Sequence, residues 1–186
     1  MNAPAEPTSF EPDAPLSQSE LKLLLALPRA ADTTPNATLF KIPCGPDPKL
    51  GFIDVSCAEA ASIVSRLAAV WGPRLSPLHR SLRGDQCPNI GFAVRAPVHG
   101  FFHRLAFWAL GYCVQYFDVS FAEGVVDGLL RDGACTTILY EGDDMKEWAV
   151  RCMERLMIPA LELPEEEFAI NLAKREKEGA EGPGMC

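Results

Sequence analysis

The middle of the chain, residues 74–104, concentrates side chains whose types suit the binding of anions. It holds five arginines, all three histidines and one acidic residue, Asp85, whereas the whole protein has a formal net charge of −8. The planar donors of a guanidinium group match carboxylate and phosphate oxygens, so we predict that an anion binds this stretch. The residues predicted to bind it are Arg74, His79, Arg80, Arg83, Arg95 and Arg104.

This basic stretch also has a simpler interpretation. The arginines could pair with acidic residues elsewhere in the chain, and that alternative stays open. Nucleic acid is disfavoured as the anion, because the overall negative charge repels a polyanion and the arginine-rich connection lacks interleaved aromatic residues that stack on bases. The anion is therefore predicted to be an acidic protein surface or a small ligand.

Two adjacent aspartates, Asp143 and Asp144, follow a predicted strand at residues 135–140. Ligands of open α/β sheets bind beyond the carboxyl ends of strands, where a carboxylate can approach Mg²⁺ or accept a proton. Asp143 is therefore a candidate catalytic residue. In the alternative, Asp144 caps the following helix and Asp143 only complements the helix dipole.

Two histidines four residues apart, His99 and His103, would share one face of a helix and could bind Zn²⁺, with Cys87 as a third ligand. His99 is also a candidate to move a proton. Cys87 is a candidate nucleophile, because neighbouring arginines favour its thiolate. Against these roles, Gly100 weakens a helix at His99, and histidines beside aromatic residues are mostly packed and hydrogen-bonded.

Motifs that identify a reaction are absent from the sequence. There is no Gly-x-x-x-x-Gly-Lys phosphate loop, no Gly-x-Gly-x-x-Gly after a strand and no Gly-x-Ser-x-Gly elbow. Whether the protein is an enzyme is left open by the sequence. No cofactor is predicted, and Zn²⁺ and Mg²⁺ remain the two alternatives raised above.

Six helices and five strands are predicted to position these side chains. Four helix starts are marked by a hydroxyl or carboxylate residue with glutamate three places later, a pair that caps free amides: Ser17 with Glu20, Ser56 with Glu59, Ser120 with Glu123, and Asp144 with Glu147. The predicted helices are 18–27, 57–71, 100–114, 121–131, 144–157 and 165–178. The predicted strands are 37–43, 50–55, 89–95, 135–140 and 160–163.

The segment 135–163 predicts the topology most directly, because it reads as a strand, an amphipathic helix and a second strand. Such a unit forms a right-handed βαβ crossover between parallel strands. We therefore predict one α/β or α+β domain over residues 17–178, with a mixed sheet of about five strands. Residues 71–85 are predicted to form a long surface connection. The proline-rich start, 1–16, and the glycine-rich end, 179–186, are predicted to be flexible tails.

The predicted helix 100–114 is apolar almost all round. Such a helix is buried in the core of its own domain or against another subunit, so a homo- or hetero-oligomer is left open. The longest uncharged apolar run, residues 105–117, is shorter than the roughly 20 residues that a membrane helix needs. Seven cysteines without a Cys-x-x-Cys pair and the lack of an export signal indicate a cytoplasmic protein.

Together these features favour an accessory or adaptor protein that docks an acidic partner or an anionic ligand through residues 74–104. The alternative is a small α/β enzyme that acts on a phosphorylated or carboxylated metabolite, with arginines holding the anion.

Overall fold

The computed structural model describes residues 22, 25–43, 49, 51–79, 88–93, 97–118 and 120–164. The helices in this part are α1 (Ala26–Thr33), α2 (Cys57–His79), α3 (Pro97–Ala109), α4 (Glu123–Asp132) and α5 (Asp143–Leu156). The strands are β1 (Thr38–Pro43), β2 (Phe52–Ser56), β3 (Asn89–Ala93), β4 (Cys113–Phe117), β5 (Cys135–Tyr140) and β6 (Ala160–Glu162). Helices alternate with parallel strands, which confirms the predicted α/β class.

Four of the strands form a parallel sheet in the order β4-β3-β5-β6. From the central strand β3 the chain crosses through α3 to β4, and then returns past β3 through α4 to β5. Because parallel crossovers are right-handed, this reversal of direction places α3 and α4 on opposite faces of the sheet. The sheet is therefore doubly wound, and its last unit, β5-α5-β6, is the predicted βαβ crossover.

The other two strands, β1 and β2, pair antiparallel as a separate hairpin. Ile42 and Val55 of this hairpin belong to the same apolar core as α2 and α3. The prediction of one mixed sheet of about five strands is thus corrected to a parallel sheet and an antiparallel pair within the described residues.

The two faces of the sheet follow from the alternation of side chains along β3 and β5. Ile90, Phe92 and Leu139 pack with α2 and α3 in the largest core cluster. Ile138 packs on the other face, in a cluster with residues of α4 and α5. Both faces are covered, as expected of a parallel sheet.

Strand β4 was missed, because the predicted helix 100–114 ran into it. In the structure that helix is α3, which ends at Ala109, and Gly111 then adopts a φ of +82° that reverses the chain. Phe102 and Phe107 of α3 are almost fully buried in the domain's own core, which confirms the intramolecular alternative for this apolar helix.

Helix α2 is longer than predicted and replaces the first part of the predicted connection 71–85. It continues to His79 although Pro73 and Pro77 lie inside it. Both prolines are exposed, four residues apart on the side facing solvent, whereas Trp71 and Leu75 are completely buried. Burial of this face therefore stabilises the helix beyond the prolines, although each proline removes one amide donor.

One predicted capping pair forms and two do not. The Ser56 amide donates to Glu59 Oε2 at 2.8 Å, and the Glu59 amide donates to Ser56 Oγ at 3.2 Å. Helix α4 instead begins after Ala122 and α5 after Gly142, in both cases without a side-chain cap. The predictions for Ser120 and Asp144 are therefore wrong.

Several predictions concern residues that the structure does not describe. These are the tails 1–16 and 179–186, the helix 165–178 and most of the helix 18–27. Among the described residues, no helix combines the length and the apolar character needed to cross a membrane.

Candidate functional site at the carboxyl end of the parallel sheet

The reversal of strand order puts a switch point between β3 and β5, at the carboxyl end of the sheet. In doubly wound folds the chain departs from two such neighbouring strands to opposite faces, and a crevice opens between the departing segments. Here the crevice lies beyond Ala93 and Tyr140, the last residues of β3 and β5, which pair with each other. The segment after Ala93 lies outside the described residues, so the described part of this edge consists mainly of the residues after β5.

Three residues after β5 form one wall of the switch point. Gly142 has a φ of +80°, a conformation that a residue with a Cβ atom adopts only under strain. Asp143 and Asp144 occupy the first turn of α5 and are exposed. Their negative charges complement the positive end of the helix dipole, which is the structural role that the sequence allowed for Asp143.

Tyr140 is the buried member of this edge, with 6% of its surface exposed. Burial raises the pKa of its phenol, and the negative charges of Glu162 and Asp143 raise it further. The Tyr140 hydroxyl therefore stays protonated at neutral pH and can donate a hydrogen bond. Glu162 and Asp143 add negative charge to this part of the edge.

Arg74, the first residue of the predicted anion site, lies on α2. Its guanidinium stacks over the indole of Trp71, with 5.4 Å between its Cζ atom and the ring centroid. Within the described part of the chain, Arg74 forms no ion pair. Whether Arg74 pairs with an acidic residue outside the described ranges stays open.

Arg104, the last residue of that predicted site, is enclosed by aromatic rings. Its Cζ atom lies 5.0 Å from the centroid of Phe101, 5.2 Å from Trp108 and 5.4 Å from Tyr116. The Tyr116 hydroxyl donates to the Gly100 carbonyl at 3.1 Å. Burial raises the pKa of Tyr116, and the charge of Arg104 partly offsets that rise.

His103 is completely buried, and its Nδ1 atom accepts a hydrogen bond from Trp71 Nε1 at 2.9 Å. This bond uses one of the two ring nitrogens that a metal could bind. His99 lies in the first turn of α3, and its side chain is outside the described part of the molecule. No three histidine, cysteine, aspartate or glutamate side chains in the described ranges are arranged to hold a metal ion.

The remaining predicted site residues lie outside the described part of the chain. These are Arg80, Arg83, Cys87 and Arg95, and the side chain of His79. The convergence of arginines on one anion and a nucleophilic role for Cys87 therefore stay predictions.

Sequence reasoning missed an ion-pair network that joins α4 to α5. Arg155 donates to both carboxylate oxygens of Asp127, at 2.7 and 3.0 Å, and to Glu123 at 3.0 Å. Arg151 donates to Glu123 from Nε at 3.0 Å and from Nη2 at 2.6 Å. The signal in the sequence was two pairs at a spacing of four, which place acids on one helix face and arginines on another.

This network also surrounds a buried thiol. Cys152 donates to Asp127 Oδ1 at 3.6 Å, and Arg155 donates to its Sγ at 3.3 Å. Burial raises the pKa of Cys152 to about 11, and the charge of Asp127 adds to the rise. The network is structural, because its carboxylates and guanidinium groups satisfy one another.

No known protein family matches the sequence of this chain, and no curated protein does. Solved structures do match its fold. One is an O-succinylbenzoate coenzyme A synthetase from Bacillus subtilis in complex with AMP, with a TM-score of 0.56 and 14% identity over 80% of this chain and 32% of that one. Another is a fatty acid AMP ligase from Legionella pneumophila, with a TM-score of 0.54 and 12% identity over 87% of this chain and 27% of that one.

A third match is apo MatB from Rhodopseudomonas palustris, with a TM-score of 0.50 and 13% identity over 66% of this chain and 23% of that one. The chain thus spans between about a quarter and a third of the length of these matched structures. At such low identity the likeness establishes the fold alone: the chain has an α/β fold similar to parts of these structures.

This likeness corrects the function predicted from the sequence. The accessory or adaptor prediction is wrong, because the fold is similar to parts of ligases. The alternative of a small α/β enzyme that acts on a phosphorylated or carboxylated metabolite stays a prediction. The error arose because charge composition reports surface potential and does not identify a fold.

Proposed function

We propose that the protein takes part in acyl adenylation and that the described α/β unit forms one part of the enzyme. In this reaction a carboxylate oxygen attacks the α-phosphorus of ATP, an acyl adenylate forms and pyrophosphate leaves. One observation carries the proposal: the fold likeness to ligases, which include a coenzyme A synthetase with bound AMP and a fatty acyl-adenylate ligase with bound acyl adenylate and pyrophosphate.

The switch point is the part of this unit that we propose to face the reactants. The amino-terminal turn of α3 contains no acidic residue, whereas the first turn of α5 contains Asp143 and Asp144. A phosphate or carboxylate group would therefore approach the edge on the side of α3. Asp143 stays the proposed carboxylate for the Mg²⁺ that accompanies ATP, as one ligand beside the phosphate oxygens.

The test is acid-dependent exchange of labelled pyrophosphate into ATP. It is measured on the natural polypeptide that contains these residues, with O-succinylbenzoate and a series of fatty acids. We expect exchange that requires both the protein and one of the acids. A folded protein that exchanges pyrophosphate with none of the acids would overturn the proposal.

A matched pair of glycine variants tests the switch point itself. Gly142→Val strains the backbone at this edge, so we expect the exchange rate to fall by about tenfold or more. Gly128→Ala on α4 is the control, because a Cβ atom there meets nothing within 4 Å. Equal rates in both variants would mean that this edge does not face the reactants.

A further inference from the structure

Arg104 is held in an aromatic cage, defined here by the rings of Phe101, Trp108 and Tyr116. Phe101 and Trp108 lie three residues before and four residues after Arg104, so all three side chains share one face of α3. Tyr116 comes from β4, and its ring packs edge-on against Phe92 at 5.0 Å between centroids. The guanidinium is thus positioned by both a helix and a strand.

Among the described residues, ring faces are the groups that contact the positive charge in this cage. Within the described part of the chain, no carboxylate forms an ion pair with Arg104, in contrast to Arg151 and Arg155. The Nε atom of Arg104 is buried and has no hydrogen-bond partner. Arg104 is half-buried, and a guanidinium that is partly withdrawn from water gains more from an anion than an exposed one does.

The geometry also limits how an anion could bind. Because Nε is shut off from solvent, a ligand reaches only the Nη end of the guanidinium, where two parallel N–H groups match the two oxygens of a carboxylate. The cage holds one positive charge among apolar rings, which favours a monoanion over the strongly hydrated dianion of a phosphate.

We propose that Arg104 and its aromatic cage form a binding site for the carboxylate of a small apolar organic acid. The site goes beyond the proposed acyl adenylation, since it needs neither ATP nor the switch point. Arg131 on α4 is exposed and lies on the opposite face of the sheet, so it serves as the matched control.

The test is a titration of the purified chain with hexanoate and with benzoate, at constant ionic strength and without nucleotide. Binding is followed by the side-chain Nε–H signals of the arginines in ¹H–¹⁵N spectra, and by thermal stability. We expect the Arg104 signal to shift and saturate. We also expect Arg104→Gln to weaken binding by about tenfold or more, while Arg131→Gln leaves it unchanged.

Three outcomes would overturn the assignment. They are an Arg104 signal that neither acid moves, equal affinity in Arg104→Gln and the wild type, and a response to inorganic phosphate but to neither acid. If Arg104→Gln does not fold, the wild-type spectrum and Arg104→Lys decide, since lysine keeps the charge but lacks the parallel donors. Because no ATP is present, the result does not depend on the outcome of the pyrophosphate exchange.

Discussion

Trp71 Nε1 donates a hydrogen bond of 2.9 Å to His103 Nδ1, and both side chains have no exposed surface. The bond joins α2 to α3 on one face of the sheet. Since Nδ1 accepts, the imidazole is neutral and carries its proton on Nε2. The same Trp71 ring packs edge-on against Phe107 at 5.5 Å, so the indole supports the core through both its ring and its donor.

Trp71→Phe tests this bond. The variant keeps an aromatic ring but removes the donor and leaves a gap beside His103, so we expect the free energy of unfolding to fall by about 2 to 4 kcal/mol. Urea denaturation measures the change. His103→Leu and the double variant complete the cycle, and additive losses would show that the two side chains do not interact.

The ion pair of Asp127 and Arg155 makes the stability of the folded protein depend on pH. Hydrogen bonds from Arg155 lower the pKa of Asp127 from its ordinary value of 3.8, against the opposing effect of burial. A lowered pKa in the folded state contributes stability that is complete above the unfolded pKa and is lost as pH falls through the folded one. We therefore expect the urea midpoint to drop as pH decreases below about 4.

Asp127→Asn should remove that part of the acid dependence and cost about 1 to 3 kcal/mol at neutral pH. Arg155→Met should lower the urea midpoint more than the control Arg151→Met, because Asp127 is buried and Glu123, the main partner of Arg151, is more exposed. Equal midpoints for the two arginine variants would contradict the central position of Asp127.

The glycines of α4 and β3 should respond to alanine in opposite ways. Gly128→Ala adds a methyl group to a helix where nothing lies within 4 Å, so we expect a gain of about 0.5 to 1 kcal/mol. Gly91→Ala would press its Cβ atom against Leu130 and bring it to 2.8 Å from the Phe117 ring, so we expect a loss of about 1 to 3 kcal/mol. Thermal unfolding of both variants measures the difference, and a stabilised Gly91→Ala would contradict the packing of β3.

The cysteines should differ in their rates of alkylation. Burial raises the pKa of Cys135 and of Cys152 to about 11, so at pH 8 only roughly one thiol in a thousand is ionised at either position. Cys113 is exposed on β4. Of these three thiols, we expect iodoacetamide to modify Cys113 first, with Cys135 and Cys152 modified only after unfolding, as followed by peptide mass spectrometry. Early modification of Cys152 in the folded protein would contradict its burial.

The local elements were predictable where one signal sufficed. The strand Cys135–Tyr140 was predicted with its observed bounds, and the Ser56–Glu59 pair marked the start of α2. Strand β4 was not predictable in the same way, because its residues continue an apolar run from α3 and no proline separates them. The turn depends on Gly111, whose positive φ a sequence permits but does not require.

The candidate site was also predictable only in part. The position of Asp143 after a parallel strand followed from the order of elements, because a βαβ unit places that residue at the carboxyl edge. The surroundings of Arg104 did not follow from the order of elements. Tyr116 lies on β4, and the pairing of β4 with β3 brings its ring to Arg104 on α3.

By itself, the sequence determined that the class is α/β or α+β, the final βαβ unit and the residues that carry charge, because hydrophobic period and capping act over a few neighbouring positions. Only the tertiary structure decided which charges meet. Arg155 forms an ion pair with Asp127 on another helix, whereas Arg104 contacts three aromatic rings. Such pairings depend on how α3, α4 and α5 lie on the sheet, and the handedness and order of the crossovers set that arrangement.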